Sequence, residues 1–242
     1  WATVNTFTEM QNSPGNRGRA VIHLGTASAD ASSKVEFLNI STFGNSQSFG
    51  DLTVNRYLSG RGSSETRGLH GGGQSSPAKR NVISYVQIST LGDALDFGDL
   101  TNVAGNRTAS FSSPTRFVCM SGHSSPNQGV IDFLNIASKG NTVKFGNITF
   151  AGVGYGSAKM NRGLSNSIRG LFAGGYQPNS PYPVVSFIDY VTIASEGNAT
   201  NFGDMTSVRY NNMTTGSQTR GILAVGQGQQ PSFTAERTID SV

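Results

Sequence analysis

The sequence is poor in charged residues, and this shortage limits the kinds of fold that it can form. Only 13% of the 242 residues are charged, whereas glycine alone occupies 31 positions. No segment longer than a few residues shows a helical period, so a helical bundle is not expected. The composition instead suits many short strands joined by tight polar turns. Length alone allows one large domain or two small ones.

Long apolar runs and cysteine are also scarce. No stretch is apolar over the length needed to cross a bilayer, so we do not expect membrane insertion. The single cysteine, Cys119, cannot form an intrachain disulfide, and the core must therefore stabilise the fold. Cys119 lies in the apolar run from Phe117 to Met120, which predicts a buried and unreactive thiol.

Charge of neither sign is concentrated along the chain. The net charge of +4 is mild and no run of lysine or arginine carries it, so nucleic acid is not an expected partner. The chain starts at Trp1 with neither an initiator methionine nor a basic-then-apolar signal pattern. We therefore expect a processed, trimmed or partial chain.

One segment recurs along the sequence. Each copy contains an alternating apolar segment, a Gly-Asn or Gly-Asp turn, and a short segment that ends in Phe-Gly-Asp or Phe-Gly-Asn. The copies lie at residues 35–53, 83–101, 131–149 and 187–206. A second marker is an arginine that leads into an apolar run ending in glycine. It falls at Arg17, Arg67, Arg116, Arg169 and Arg220. Two markers with one period of about 50 residues indicate a repeat protein.

Each repeat is predicted to contain four strands. The run after the arginine forms a central strand, and the alternating segment forms a strand with two different faces. The Gly-Asn turn supplies positive-φ residues to a hairpin, and the returning strand carries the phenylalanine. The polar stretch before the next arginine supplies the fourth strand. Such a unit cannot bury both of its faces alone, so copies are expected to stack radially as a β-propeller.

The predicted fold class is all-β: one domain, a five-bladed propeller of four-stranded antiparallel blades. The repeats span approximately 17–66, 67–115, 116–168, 169–219, and 220–242 together with 1–16, so both termini complete one blade. The hairpin and the phenylalanine of that last blade have no counterpart in the chain. Either Trp1–Thr3 form a shortened outer strand, or the chain is a piece of a longer protein.

The repeat resembles the kelch repeat. Paired glycines occur at Gly72-Gly73 and Gly174-Gly175, and an arginine precedes the next blade at Arg56 and Arg209. Phenylalanine stands where kelch repeats usually have tryptophan, and Ala104 stands where this arginine is expected. The pattern is most similar to kelch-like repeats in tail and virion proteins of marine bacteriophages. That resemblance implies a kelch-like propeller of a phage particle.

Two sets of residues are candidate ligand-binding residues. The repeated arginines would place guanidinium groups at one height around a closed ring, where they would attract an anionic sugar, phosphate or carboxylate. Alternatively, each arginine pairs with an acidic or carbonyl group and locks neighbouring blades. The period also fails at residues 151–161 and 177–183, near Tyr155, Tyr176 and Tyr182. Loop aromatics on a rigid scaffold commonly recognise ligands, although these loops could also have drifted in length.

No catalytic constellation is recognisable. His23, His70 and His123 do not occupy one repeat position, which excludes a symmetric metal ring, and we expect no metal or other cofactor. The aspartate of Phe-Gly-Asp is predicted to cap a turn by accepting backbone N–H bonds, because asparagine replaces it at Asn147.

The expected function is a non-enzymatic binding or structural module of a phage particle, associated with the tail, that attaches to a host-surface glycan or protein. Its partners would be that receptor and other virion proteins, and its location the virion or the extracellular space. The alternative is a secreted bacterial lectin or adhesion propeller. An enzyme is the third and least favoured class.

Overall fold

A computed structural model describes residues 18–23, 32–75, 77–104, 109–120, 129–149, 162–176, 184–229 and 235–242. Within these residues there is no helix, and the strands form five antiparallel sheets. The sheets are arranged in a ring, so the protein is a five-bladed β-propeller and the predicted fold class is confirmed.

The strands are assigned to the sheets in chain order. The first sheet contains β1 (Arg19–His23), β2 (Ser32–Asn39) and β3 (Gln47–Arg56). The second contains β4 (Gly60–Ser63), β5 (Arg67–Gly71), the short β6 (Gln74–Ser75), β7 (Ala78–Gln87) and β8 (Leu95–Ala104). The third contains β9 (Ala109–Ser112), β10 (Arg116–Met120), β11 (Val130–Asn135) and β12 (Val143–Asn147). The fourth contains β13 (Arg162–Ser165), β14 (Arg169–Tyr176), β15 (Val184–Thr192) and β16 (Thr200–Asp204). The fifth contains β17 (Met213–Gly216), β18 (Gly221–Gln227) and β19 (Ala235–Ser241).

The sheet boundaries differ from the boundaries of the sequence repeats. The polar strand was predicted to close its own repeat, but β4 pairs with β5 of the following repeat, with Ser63 opposite Gly68. The third, fourth and fifth sheets repeat this pairing. The physical reason is the short turn at residues 64–66, which folds the polar strand back on the arginine-led strand. The residues 1–16 that were expected to complete a blade lie outside the described residues.

The first strands of neighbouring sheets lie side by side. The Ser110 hydroxyl donates to the carbonyl of Arg61 at 2.8 Å and accepts from the N–H of Arg61 at 2.6 Å. The next two junctions have related bonds, from Ser165 Oγ to the carbonyl of Ser112 and from Thr214 Oγ1 to the carbonyl of Gly163. These contacts place β4, β9, β13 and β17 innermost in the ring. Serine and threonine in the polar strand therefore have a structural role.

The core is divided into separate clusters, each spanning one junction between sheets. At the first junction, Ile88 of the second sheet packs with Val21, Val35 and Phe49 of the first. Ile136 and Ile193 occupy the equivalent positions at the next two junctions and are equally buried. Burying one such side chain stabilises the fold by about 1.5–3 kcal/mol. The sheets therefore stack face to face, as the alternating segments predicted.

The Gly-Asp and Gly-Asn turns bind the preceding sheet. The Gly92 N–H donates to the carbonyl of Phe49 at 2.9 Å, and the Ala94 N–H donates to the carbonyl of Asp51 at 2.7 Å. In return, the Asp51 N–H donates to Asp93 Oδ1 at 2.9 Å. The turns at Gly140 and Gly197 make the same contacts with β8 and β12. We call this arrangement the hairpin contact.

The hairpin contact corrects two predictions about polar residues. In each turn only the glycine has positive φ, 137° at Gly92, and the aspartate or asparagine serves as an acceptor instead. The aspartate of Phe-Gly-Asp was predicted to accept backbone N–H bonds. The Asp51 carboxylate instead accepts from Ser33 Oγ at 2.8 Å and Lys34 Nζ at 3.0 Å, and its backbone N–H is the group that is capped.

Candidate functional site

The ring has two faces that differ in the regularity of their connections. We number the strands of each sheet outwards from the innermost strand, so that β1 of the first sheet is a second strand and the short β6 is not counted. Successive strands are antiparallel, so the connections from first to second strands and from third to fourth strands share one face. On that face the third and fourth strands are always joined by segments of equal length: 40–46, 88–94, 136–142 and 193–199. We call it the constant face.

The opposite face carries the connections that vary in length. They join second to third strands, and the last strand of one sheet to the first strand of the next. The first kind comprises residues 24–31, 72–77 (with β6), 121–129, 177–183 and 228–234, and the second kind comprises 57–59, 105–108, 148–161 and 205–212. Their lengths range from 3 residues at 57–59 to 14 residues at 148–161. We call this the variable face.

The predicted aromatic residues belong to connections of the variable face. Tyr155 and Tyr182 lie outside the described residues, in the connections from Asn147 to Arg162 and from Tyr176 to Val184. Tyr176 is the last residue of β14, opposite Val184 on β15. The two places where the sequence period fails therefore both start and end on one face.

The repeated arginines lie on the constant face, where the second strands begin. Arg67 is opposite Gln87 and Arg116 is opposite Asn135. In the first sheet the residue at this position is Arg19, opposite Asn39, whereas the predicted Arg17 lies outside the described residues. The arginines and the variable connections thus mark opposite faces of the ring.

Three of these arginines donate to carbonyl groups of the next sheet. Arg19 Nη1 lies 3.0 Å from the carbonyl oxygens of Ile88 and Ser89. Arg67 Nη1 lies 2.6 Å from that of Ile136 and 3.0 Å from that of Ala137. Arg116 Nη1 lies 2.9 Å from that of Ile193. These bonds match the alternative reading, in which the arginines lock neighbouring blades.

Each guanidinium also covers an aromatic ring of its own sheet. The distances to the ring centroid are 5.1 Å for Arg19 over Phe37, 5.2 Å for Arg67 over Tyr85, 4.6 Å for Arg116 over Phe133 and 5.3 Å for Arg169 over Tyr190. Cation–π contact at this distance holds the side chain along the sheet. An open groove of about 650 Å³ lies beside Arg67, lined also by Glu65 and Pro114. Anion binding at these arginines stays a prediction.

Two further arginines, Arg56 and Arg209, are fully buried between sheets. Arg56 donates from Nη1 to the carbonyls of His70, Gly72 and Val82, and from Nη2 to Ser84 Oγ. Burial lowers the pKa of Arg56 to about 10, so it stays charged at neutral pH. Arg209 binds Asp240 and the carbonyl of Leu223. Arg56, at the end of β3, therefore joins the first sheet to the second, and Arg209, in the connection after β16, binds the fifth sheet.

Two aspartates equivalent to Asp240 have no such arginine in the described structure. Asp132 and Asp189 are buried and accept hydrogen bonds from Thr101 and Thr149. Among the described residues, no group forms a hydrogen bond with Asp132 Oδ1. Burial raises the pKa of both carboxyls above the ordinary value of 3.8. Ala104 occupies the position of Arg56 at the first of these junctions, and that of the second falls within the undescribed residues.

Sequence reasoning did not single out these aspartates, although a signal for them exists. Aspartate follows isoleucine at Asp132, Asp189 and Asp240, at one position of the alternating segment. A threonine follows each Phe-Gly-Asp or Phe-Gly-Asn element; three of these threonines donate to this aspartate, and the Thr53 hydroxyl is hydrogen-bonded to the Ser84 hydroxyl. The alternation predicts a strand with two different faces, and stacking of the sheets buries the face that carries these aspartates.

Two of the histidines, His23 and His70, and the cysteine are buried within the sheets. His23 and His70 lie edge to face with ring centroids 5.2 Å apart, and His23 Nε2 donates to the carbonyl of Ser32 at 3.0 Å. Burial, with Arg61 and Arg56 nearby, lowers the pKa of His23 to about 4 and that of His70 well below its usual value. His123 lies outside the described residues. Cys119 is buried as predicted, and burial raises its thiol pKa well above the ordinary value.

The described residues contain no group of three or more histidine, cysteine, aspartate or glutamate side chains placed to hold a metal ion. In the same part of the chain, no helix has the length and apolarity required to span a membrane. Comparison with protein-family models and with curated proteins gave no match to either.

Proposed function

We propose that this protein is a non-enzymatic binding module that recognises a host-surface glycan or protein through its variable face. The observation that carries this proposal is the separation of the two faces. The connections whose lengths range from 3 residues at 57–59 to 14 residues at 148–161 leave one side of the ring, whereas the opposite side repeats the same hairpin contact. Binding residues are commonly placed on variable loops that a rigid scaffold positions.

The use of the polar residues supports binding rather than catalysis. The described arginines between sheets donate to carbonyl groups or pair with Asp240, and the threonines of the Phe-Gly-Asp elements donate to buried groups. General acid–base catalysis, most often by histidine, requires a titratable group within reach of a substrate. His23 and His70, the described histidines, are instead enclosed by the core.

Within this proposal the propeller is of the kelch type and belongs to a phage particle, as part of the tail. The paired glycines Gly72-Gly73 and Gly174-Gly175 have positive φ, which explains why glycine is needed there. Arg56 and Arg209 connect adjacent sheets, in keeping with the position of the arginine in kelch repeats. The phage origin is supported by the sequence resemblance alone, and locating the gene among virion structural genes would test it.

Glycan arrays and host surface extracts test the binding function. Purified protein is expected to bind a host polysaccharide or surface protein, and Tyr155→Ser or Tyr182→Ser is expected to weaken that binding. Phe43→Ser, on the exposed hairpin of the constant face, serves as the control and should bind as the wild type does. Absence of binding to every host component, or loss of binding in the control alone, would contradict the proposal.

A further inference from the structure

The open groove beside Arg67 lies on the constant face, away from the connections that we propose bind the host surface. Its volume is about 650 Å³, and ligand pockets commonly have about 300–1,000 Å³. The structure describes every residue that lines the groove, together with the two nearby hairpins at residues 88–94 and 136–142. The groove is therefore a complete feature of the second and third sheets.

The wall of the groove carries polar side chains that have no partner among the described residues. These side chains are exposed and make no described hydrogen bond: Glu65, Thr66, Gln87, Ser89 and Thr90. Hydroxyl, amide and carboxylate groups can donate to or accept from the hydroxyl groups of a ligand. Such a ligand would form these bonds without breaking any described contact of the fold.

Arg67 provides a positively charged group that is already held in place. Its Nη1 donates to the carbonyls of Ile136 and Ala137, and its Cζ lies 5.2 Å from the centroid of the Tyr85 ring. No described group accepts from its Nε or Nη2. These two nitrogens lie in one plane and can donate to two oxygens of the same oxyanion. Because the carbonyl bonds fix the side chain, binding an anion costs little further conformational entropy.

Lys139 adds a second positive charge beside the same ring. Its Nζ lies 4.9 Å from the centroid of the Tyr85 ring. The charges of Lys139 and Arg67 are therefore at most about 10 Å apart, which is about one Debye length at 0.1 M salt. An anion bound by Arg67 is consequently also attracted by Lys139.

This pairing of two cations distinguishes one junction from its neighbours. Lys139 directly precedes the turn glycine, where the hairpins of the second and fourth sheets have Leu91 and Glu196. Leucine carries no charge, and Glu196 Oε1 lies 4.0 Å from Arg116 Nη2, where it compensates the arginine. Of the three described hairpin contacts, only the one between the second and third sheets places a lysine beside the repeated arginine.

We propose that this groove binds a small molecule that carries a phosphate or sulfate ester on a body rich in hydroxyl groups, such as a sugar phosphate or sugar sulfate. Arg67 donates to the oxyanion and Lys139 strengthens the attraction. Gln87, Ser89 and Thr90 bind the hydroxyl groups of the sugar. The Glu65 carboxylate also lines the groove, and its repulsion of the oxyanion limits the affinity.

A titration followed by backbone amide chemical shifts at low ionic strength tests the proposal and locates the site. The probes are glucose 6-phosphate, glucose 6-sulfate, inorganic phosphate and glucose. We expect one or both esters to shift the amide signals of residues 64–67 and 136–139 saturably. Inorganic phosphate should bind about tenfold more weakly because it lacks the hydroxyl contacts, and glucose should not saturate the site.

Substitutions separate the contributions of the charged groups. Lys139→Ala should weaken ester binding at least about twofold, and Lys139→Glu, which imitates the pairing of Arg116 with Glu196, should weaken it further. Arg67→Lys keeps the charge but loses the planar donors, so it should weaken binding about tenfold. Glu65→Gln should strengthen binding about twofold. Lys79→Ala removes an exposed lysine from the opposite end of the second sheet and is the control, which should bind as the wild type does.

Three outcomes would overturn the proposal. The first is the absence of saturable shifts with either ester. The second is ester binding that Lys139→Glu leaves unchanged although the variant keeps its melting temperature. The third is equal affinity for inorganic phosphate and the esters, because the polar wall would then make no contact with the ligand. The groove and the variable face share no residues, so failure of ester binding leaves the glycan-binding test unaffected.

Discussion

Buried aspartates differ between the junctions of this protein in whether an arginine compensates their charge. Asp240 is paired with Arg209, whereas Asp132 accepts from a threonine and keeps one oxygen without a hydrogen-bond partner among the described residues. Burial of a charged carboxyl costs free energy, and at Asp132 this cost outweighs the attraction of Lys144, so the group favours its neutral form. This explains why the pKa of Asp132 is raised.

Asp132→Asn is therefore expected to stabilise the protein at neutral pH. The folded carboxyl has a raised pKa, so its contribution to stability is fully present below pH 3.8, the unfolded value, and is lost as pH rises through the folded pKa. Asparagine imitates the neutral form, so the free energy of unfolding in urea should increase at pH 7 and change little below pH 3.8.

Asp51→Asn is the matched control, because the pKa of Asp51 is shifted in the opposite direction to that of Asp132. Ser33 and Lys34 lower the pKa of this exposed carboxyl, so its contribution is present at neutral pH and lost on acidification. The control should not stabilise the protein at pH 7. Stabilisation by Asp51→Asn, or destabilisation by Asp132→Asn at pH 7, would contradict this account of the buried charge.

The buried histidines are expected to make the protein less stable in mild acid. The pKa of His23 is about 4 in the folded protein and 6.5 in the unfolded chain. Between these values the unfolded chain binds a proton that the folded protein does not, so stability falls as pH falls. The slope is at most about 1.4 kcal/mol per pH unit for each histidine. Urea unfolding between pH 7 and pH 4.5 checks this, and His23→Gln should flatten the dependence.

Arg67→Ala tests whether the repeated arginines lock the sheets together. Loss of the bonds to Ile136 and Ala137 should lower the free energy of unfolding by about 1.5–3 kcal/mol. Arg220→Ala, at the equivalent but exposed position, should change it by less than about 0.5 kcal/mol. Equal effects of the two substitutions in urea denaturation would show that the carbonyl bonds do not determine stability.

The residues of these contacts were only partly predictable from the sequence. The period located Arg67, Arg116, Arg169 and Arg220, but it selected Arg17 where Arg19 occupies the register position opposite Asn39. Two arginines flank Gly18, and only strand pairing decides which of them faces the next sheet. Likewise, the alternation around Asp132 did not indicate that both faces of its strand are buried.

At the scale of single elements, the hairpin contact is the unit that repeats. The turn residue Asn141 accepts from the Asp99 N–H at 2.9 Å, while Gly140 and Thr142 donate to the carbonyls of Phe97 and Asp99. The sequence predicted these turns from their glycines. It could not show that they bind the preceding sheet, because that contact joins residues about one repeat apart.

Asn141→Ala and Asn45→Ala are a matched pair that tests the hairpin contact. Asn141→Ala leaves the Asp99 N–H without its acceptor and should cost about 0.5–1.5 kcal/mol. Asn45 has the same place in the first hairpin, but no described backbone N–H donates to its side chain and Ile40 of that hairpin is 47% exposed, so Asn45→Ala should be close to neutral. Equal losses of melting temperature would mean that the asparagine acts within its own turn.

At the scale of the whole molecule, the ring separates the repeated hairpin contacts from the connections that we propose bind the host surface. The repeat period was sufficient to predict five antiparallel sheets, because stacking is the way in which such units bury both faces. It was not sufficient to place the sheet boundaries, since β4 and its equivalents pair forward rather than backward. It also did not show that the connections of unequal length share one face, which follows only from the strand order.

Hydrogen–deuterium exchange with a bound host-surface polysaccharide tests this division most directly. Exchange is measured by peptide mapping for the free protein and for the complex. If the ligand binds through the variable face, protection from exchange is confined to the connections of that face, including residues 148–161 and 177–183. Protection centred on the constant face, at residues 64–66 or 88–94, would contradict it.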